Sequence, residues 1–121
     1  MYSFLKSFSY AIKGIKHSLK QRNMKIILTC AILTVLAAFF LKVSDNQWCI
    51  LLICIGLTIS LEMINTAIEG IVDLISPDYN EKAGIIKDLA AGAVLIVSII
   101  SLIIGVFIFW WKILNILNLE F

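Results

Sequence analysis

Residues 89–111 read LAAGAVLIVSIISLIIGVFIFWW and contain no charged side chain. An α-helix rises about 1.5 Å per residue, so 23 residues are long enough to cross a hydrocarbon core of roughly 30 Å. Trp110 and Trp111 end the run, and tryptophan is enriched where membranes meet water. The segment therefore predicts a transmembrane helix.

Composition extends this conclusion to the whole chain. Of its 121 residues, 61% are hydrophobic, and the mean hydropathy is +1.02. Soluble domains contain roughly 45–50% apolar residues, so we predict one integral-membrane domain over residues 1–121.

The three cysteines, Cys30, Cys49 and Cys54, lie in or beside apolar runs. They form neither a Cys-x-x-Cys pair nor a Cys/His cluster, so the sequence predicts no zinc site and no disulfide framework.

Two further apolar runs predict two more membrane spans. Residues 26–41 form the first, which is short for a bilayer, but the flanking Lys25 and Lys42 can extend to the headgroups. Residues 48–72 form the second, which begins at an interfacial tryptophan. Between them, residues 44–47 (Ser-Asp-Asn-Gln) predict a tight polar turn.

The remaining segments complete an all-α prediction. In residues 1–22, apolar side chains recur every three or four positions with lysines between them, which predicts an amphipathic helix lying on the membrane surface. Residues 73–88 contain Pro77 and predict a cytoplasmic loop followed by a helix start. The expected architecture is three transmembrane helices plus an N-terminal surface helix. The tail, residues 112–121, carries no functional prediction.

The basic residues predict the orientation. Six of them precede the first span, whereas no acidic residue occurs before Asp45: Lys6, Lys13, Lys16, Lys20, Arg22 and Lys25. Such a cluster is compatible with nucleic-acid binding, but the adjacent membrane span makes lipid headgroups and the positive-inside rule the better explanation. We therefore predict a cytoplasmic N-terminus, a cytoplasmic 73–88 loop and no nucleic-acid partner.

A polar stripe interrupts the second span. Glu62, Asn65, Thr66, Glu69 and Asp73 fall within about a 100° arc of one helix. A carboxylate at bilayer depth costs on the order of 2.5–3.5 kcal/mol, whereas each leucine or isoleucine contributes only about 0.3–0.6 kcal/mol. Ionisable groups within a membrane are therefore candidates for function.

These residue types match the needs of phosphoryl transfer. Glu62, removed from water, is a candidate general base, and Asn65 can hold a carboxylate or a substrate hydroxyl. Glu69 can offer hard oxygen to Mg²⁺. Lys87 is a candidate phosphate cation with Asp88 beside it.

Other interpretations stay open for the same residues. The stripe is also compatible with a proton or small-ion pathway, and Glu62 alone with a neutral packing element. Asp73, Asp78 and Lys87, taken singly, are typical of solvated loop charges. Neither a P-loop nor a Gly-x-Gly-x-x-Gly motif is present.

Two blocks of the sequence carry a family resemblance. Residues 61–73 read LEMINTAIEGIVD, and Lys87-Asp88 is followed by AAGAVL at residues 90–95. Together they resemble the small prokaryotic diacylglycerol kinase family, which includes undecaprenol kinases. The resemblance extends from about Phe8 to Phe109.

This resemblance implies a homotrimer in the bacterial cytoplasmic (inner) membrane. It also implies transfer of the γ-phosphate of MgATP to a lipid hydroxyl at the cytoplasmic interface, with ATP as co-substrate and Mg²⁺ as cofactor. The implied acceptor is diacylglycerol or undecaprenol. Within the resemblance, the sequence of residues 65–69 and the Ala/Gly-rich block after Asp88 favour the undecaprenol kinase branch.

Roles follow by matching positions. The resemblance implies that Glu62 is the catalytic base, that Asn65 supports it, and that Glu62 and Ala91 face the lipid substrate. Glu69 is implied as a magnesium ligand. The implied nucleotide-binding set is Tyr10, Glu69, Asp73, Asp78, Tyr79, Asn80, Lys87 and Asp88.

Gln21 departs from the family pattern, which usually has a second metal-binding glutamate at this position. Glutamine offers a neutral carbonyl oxygen, so we expect weaker Mg²⁺ binding. A catalytically inactive membrane assembly module is the alternative that this departure raises. Asn80 also replaces a histidine found in some members, which leaves the adenine contacts open.

Overall fold

The computed structural model describes residues 1–117, and this part of the chain forms four helices. They are α1 (Tyr2–Ser18), α2 (Arg22–Phe40), α3 (Asp45–Ile75) and α4 (Glu81–Ile116). Helices α2, α3 and α4 are each long and apolar enough to cross a membrane. The prediction of an all-α membrane protein, with three spanning helices and an N-terminal amphipathic helix, is confirmed.

Helix α3 is the centre of the arrangement, because it contacts α4, α2 and α1. A buried cluster of Ala38, Val43 and Leu51 packs with Ile108 and Phe109, and so fastens the α2–α3 turn to the C-terminal part of α4. Most other large apolar side chains point outward. Such a surface suits hydrocarbon as the surrounding medium, where outward leucines and isoleucines incur no penalty.

The turn between α2 and α3 is shorter than predicted. Lys42 takes a left-handed backbone conformation (φ 53°), and the Val43 amide donates to the Ala38 carbonyl at 3.2 Å. Ser44 then caps α3: its hydroxyl accepts from the Gln47 amide, while the Gln47 side chain accepts from the Ser44 amide. This reciprocal cap satisfies two free helix donors. The predicted 44–47 turn is therefore wrong beyond Ser44, because Asp45 already belongs to α3.

The break between α3 and α4 covers only residues 76–80. Asn80 caps α4, since its Oδ1 accepts from the amides of Lys82 (2.9 Å) and Ala83 (3.2 Å). Asp73 consequently lies on α3, not in a loop, and α4 runs unbroken through the predicted boundary between residues 88 and 89. Hydropathy marks where a helix enters lipid, whereas caps mark where it begins.

The other predicted bounds shift for the same reason. Helix α1 ends at Ser18 and not at residue 22, and α2 begins at Arg22 and not at residue 26. Arginine and lysine are good helix formers, so α2 starts before its apolar run. Within the predicted 112–121 tail, α4 continues to Ile116, and residues 118–121 lie outside the described residues.

Candidate functional site

The polar stripe of α3 is buried at its first two residues, Glu62 and Asn65. Glu62 is 4% exposed and Asn65 is 5% exposed, although both lie in a helix whose other faces are largely open. Glu69 and Asp73, one and two turns beyond Asn65, are exposed. The stripe therefore passes from a buried carboxylate to accessible carboxylates along one helix face.

Asn65 connects the two glutamates of the stripe. Its Nδ2 donates a hydrogen bond to Glu69 Oε1 at 3.1 Å. Its Oδ1 is buried and accepts no hydrogen bond from any residue among 1–117. A buried acceptor without a donor costs about 1–3 kcal/mol. The free Oδ1 is thus suited to receive a donor from a ligand, such as a hydroxyl group.

Asn23 also belongs to this site, and the sequence analysis missed it. From the first turn of α2, its side chain lies near the Glu62 carboxyl group. Glu69 lies two helical turns from Glu62 on the same helix. Asn23 has no regular spacing to the stripe, so only its position two residues after Gln21 could have drawn attention to it.

Lys87 and Asp73 form an ion pair between α4 and α3. Both side chains are accessible, at 38% and 63% exposure. Lys87 is the predicted phosphate cation. Because it pairs with Asp73, it lies at the accessible end of the stripe. Asp88, next to Lys87, is exposed.

The residues of the α3–α4 turn have simpler surroundings. Asp78 and Tyr79 are exposed, with Tyr79 at 94%. The side-chain oxygen of Asn80 is engaged in capping α4, so only its amide nitrogen is free to donate to a nucleotide. The predicted nucleotide contacts of all three residues stay predictions.

Three other predicted residues lie on separate elements. Tyr10 is exposed on α1, with the Lys13 ammonium 5.6 Å from its ring centroid. Ala91 is exposed on α4, one helical turn beyond Lys87. Gln21 is exposed and is the residue before the first turn of α2.

The donor set fits a magnesium ion held largely by its substrate. Residues 1–117 contain no group of three or more His, Cys, Asp or Glu side chains positioned to hold a metal. Mg²⁺ usually takes only one or two protein carboxylates, with water and substrate phosphate completing its shell. Glu69 is exposed and uses one carboxylate oxygen for Asn65, which leaves the other oxygen available.

Comparison with known sequences identifies the family. The sequence profile described as "Prokaryotic diacylglycerol kinase" matches residues 9–109. The chain belongs to the prokaryotic diacylglycerol kinase family. The match includes the whole stripe, Lys87 and Asp88, and the prediction made from those residues is confirmed.

Individual relatives agree with this membership. The chain is 40% identical over 107 residues to "Undecaprenol kinase" of Bacillus subtilis (strain 168), covering 88% of this chain and 87% of that protein. It is 37% identical to "Diacylglycerol kinase" of Synechocystis sp., covering 85% of this chain and 60% of that protein. It is 29% identical to "Diacylglycerol kinase" of Escherichia coli (strain K12), covering 88% of each. As a member of this family, the chain is a lipid kinase.

Proposed function

We propose that this prokaryotic diacylglycerol kinase family member transfers the γ-phosphate of ATP, with Mg²⁺, to the primary hydroxyl of a membrane lipid alcohol. The observation that carries the proposal is the gradient along α3. A buried Glu62 lies two turns from an accessible Glu69, and the Lys87–Asp73 ion pair follows one turn later. A lipid hydroxyl and a nucleotide phosphate can therefore approach the same helix face from lipid and from water.

The proposed reaction begins at Glu62. The lipid hydroxyl oxygen attacks the γ-phosphorus, and its proton passes to the Glu62 carboxylate. As the new oxygen–phosphorus bond forms, the bond to the β–γ bridging oxygen breaks and ADP leaves. Asn23 lies near this carboxyl group. The free Oδ1 of Asn65 can accept the single hydroxyl hydrogen while the lipid enters, and the same hydrogen then turns to Glu62 for the transfer.

Nucleotide binding falls to residues at the accessible end. Lys87 would supply positive charge for the phosphates. The other proposed nucleotide contacts lie near it, at the start of α4 and in the α3–α4 turn: Asp88, Asp78, Tyr79 and Asn80. Glu69, with the neutral oxygen of Gln21, would hold the magnesium ion. Bound Mg²⁺ would neutralise charge that develops on the phosphate oxygens.

An apolar groove supports a lipid as the acceptor. Helices α2, α3 and α4 line a groove of about 570 Å³ along the N-terminal half of α3, whereas Glu69 lies in the C-terminal half. Its lining begins at Thr58, one turn from Glu62, and continues past Cys54 to Leu51. A hydrocarbon chain in this groove would place its terminal hydroxyl at Glu62. Diacylglycerol and undecaprenol both satisfy that requirement.

The proposal includes the membrane setting and the assembly. The N-terminus and the α3–α4 turn lie on the cytoplasmic side of the inner membrane, where ATP is available, and the protein forms a homotrimer. The excess of basic residues before the first span supports the orientation. Cross-linking in native membranes tests the trimer, and labelling of an introduced cysteine at residue 2 or residue 79 tests the orientation.

Replacement of Glu62 by glutamine tests the mechanism. Reconstituted protein is supplied with MgATP and either lipid alcohol, and phosphorylated lipid is measured. Removing a general base costs typically 10²–10⁴-fold in rate, so E62Q should lose at least about a hundredfold. E81Q, which changes an exposed acid in the first turn of α4, is the matched control and should retain activity.

Full activity of E62Q would exclude Glu62 as the base. Ion flux without ATP, lost in E62Q, would instead favour the ion pathway. Direct competition between diacylglycerol and undecaprenol in the wild-type assay identifies the acceptor, because the less favoured lipid is phosphorylated more slowly when both are present.

A further inference from the structure

Helix α1 has three distinct faces. At 100° per residue, five large apolar side chains occupy one arc of about 100°: Phe4, Leu5, Phe8, Ile12 and Ile15, all exposed. Lys6, Lys13 and Lys16 occupy a second arc of about 80° beside it. The third arc contains mainly small residues, including Ser18, together with Tyr10 and His17.

Helix α1 meets the rest of the protein at its C-terminal end. Ser18 is 5% exposed, whereas residues 2–17 are all exposed, and α1 contacts α3. The apolar arc and the lysine arc are both open within the described chain, since the large apolar side chains and all three lysines are exposed. With the apolar arc set into a bilayer, the lysines beside it would lie at headgroup level.

Charge complementarity identifies the occupant of this surface. No acidic residue occurs between Met1 and Ser44, so the α1 lysines have no internal partner in this segment. Lys6 and Lys13 instead lie over the rings of Tyr2 and Tyr10. Lysines beside an apolar helix face are attracted to anionic lipid headgroups, by about fivefold in partitioning for each lysine near the surface.

We infer that Lys6, Lys13 and Lys16 form a binding surface for the anionic phospholipids of the surrounding bilayer, and that membrane charge thereby controls docking of α1. Docking matters for the site because α1 leads directly to Gln21 and Asn23. The Asn23 side chain lies near the Glu62 carboxyl group. Held on the bilayer, α1 fixes the entry to α2; released, it leaves that entry free to move.

Hydrogen exchange of the full-length protein in nanodiscs tests this surface. Nanodiscs contain either phosphatidylcholine alone or an equal mixture with phosphatidylglycerol, and protection of the α1 amides is followed by mass spectrometry. Three lysines at about fivefold each predict up to about a hundredfold greater protection in the anionic bilayer. High salt should reduce the difference, because surface charges are screened.

Two triple variants each remove three positive charges. K6Q/K13Q/K16Q removes them from α1, and K42Q/K82Q/K112Q removes them from the α2–α3 turn and from α4. The first should lose the lipid-dependent protection and the second should keep it. K6R/K13R/K16R, which preserves the charge, should also keep it. Equal protection of wild-type α1 in both bilayers, or protection retained in K6Q/K13Q/K16Q, would overturn the inference. Exchange is measured without ATP or lipid alcohol, so loss of phosphotransfer would leave this result unchanged.

Discussion

Replacement of Asn65 by alanine should separate activity from stability. The side chain makes one hydrogen bond, from Nδ2 to Glu69 Oε1 at 3.1 Å. It also buries an Oδ1 without a donor in residues 1–117. Truncation removes both, and the two effects on the free energy of unfolding have opposite signs.

The magnitudes nearly cancel for stability. A hydrogen bond to a charged group contributes about 1.5–3 kcal/mol, and an unpaired buried acceptor costs about 1–3 kcal/mol. We expect N65A to change the free energy of unfolding by no more than about 1 kcal/mol, apart from the small cavity left behind. Activity has no such compensation, because Glu69 loses its fixed position. The lost 1.5–3 kcal/mol corresponds to a fall of about 10- to 150-fold in kcat/KM.

Two measurements on the same preparation check this expectation. Unfolding in mixed micelles, titrated with denaturing detergent, gives the change in stability. Lipid phosphorylation at saturating and limiting MgATP gives kcat/KM. S60A on the exposed face of α3 is the control and should change neither. A loss of more than about 3 kcal/mol in N65A, with activity retained, would show that Asn65 is a packing residue and would refute the reasoning.

Three other changes extend the test to the rest of the site. K87M should raise KM for ATP about tenfold, and D73N/K87M should be no worse than K87M if Asp73 acts through Lys87; additive losses would contradict this. The exposed pair itself should contribute less than about 1 kcal/mol to stability. Q21E should lower the Mg²⁺ concentration for half-maximal activity, since it restores a carboxylate; if neither form phosphorylates any lipid alcohol, the inactive alternative gains. S44A should destabilise the protein by about 0.5–2 kcal/mol through loss of the α3 cap, measured by thermal unfolding in detergent, and an unchanged midpoint would show that the cap is dispensable.

The sequence predicted the number and type of helices because lipid imposes a simple rule. A span must satisfy its backbone within one helix and must be apolar over about 20 residues. Residues 89–111 obey this rule without ambiguity. The first residues of α3 and α4 were not predicted correctly. Their caps, Ser44 and Asn80, act through local hydrogen bonds, and hydropathy contains no information on those bonds.

The candidate site was predictable where one helix contains it. The spacing of Glu62, Asn65 and Glu69 places them on one face whatever surrounds that helix. Contacts between helices were not predictable in this way. Pairing of Lys87 with Asp73 and approach of Asn23 to Glu62 depend on how α4 and α2 pack on α3, and sequence spacing holds no information on that packing.

The unbroken course of α4 has a mechanical consequence. Its 36 residues form a rod of about 54 Å, far longer than the hydrocarbon core. Lys87 near one end and Trp110 near the other are separated by a fixed length of about 35 Å. In a thinner bilayer the whole of α4 must therefore tilt or slide, because α4 has no break between these residues that could accommodate the change in thickness. A change in bilayer thickness would then shift Lys87 relative to α3. Phosphotransfer should therefore be fastest in membranes whose thickness matches the separation of about 35 Å between Lys87 and Trp110.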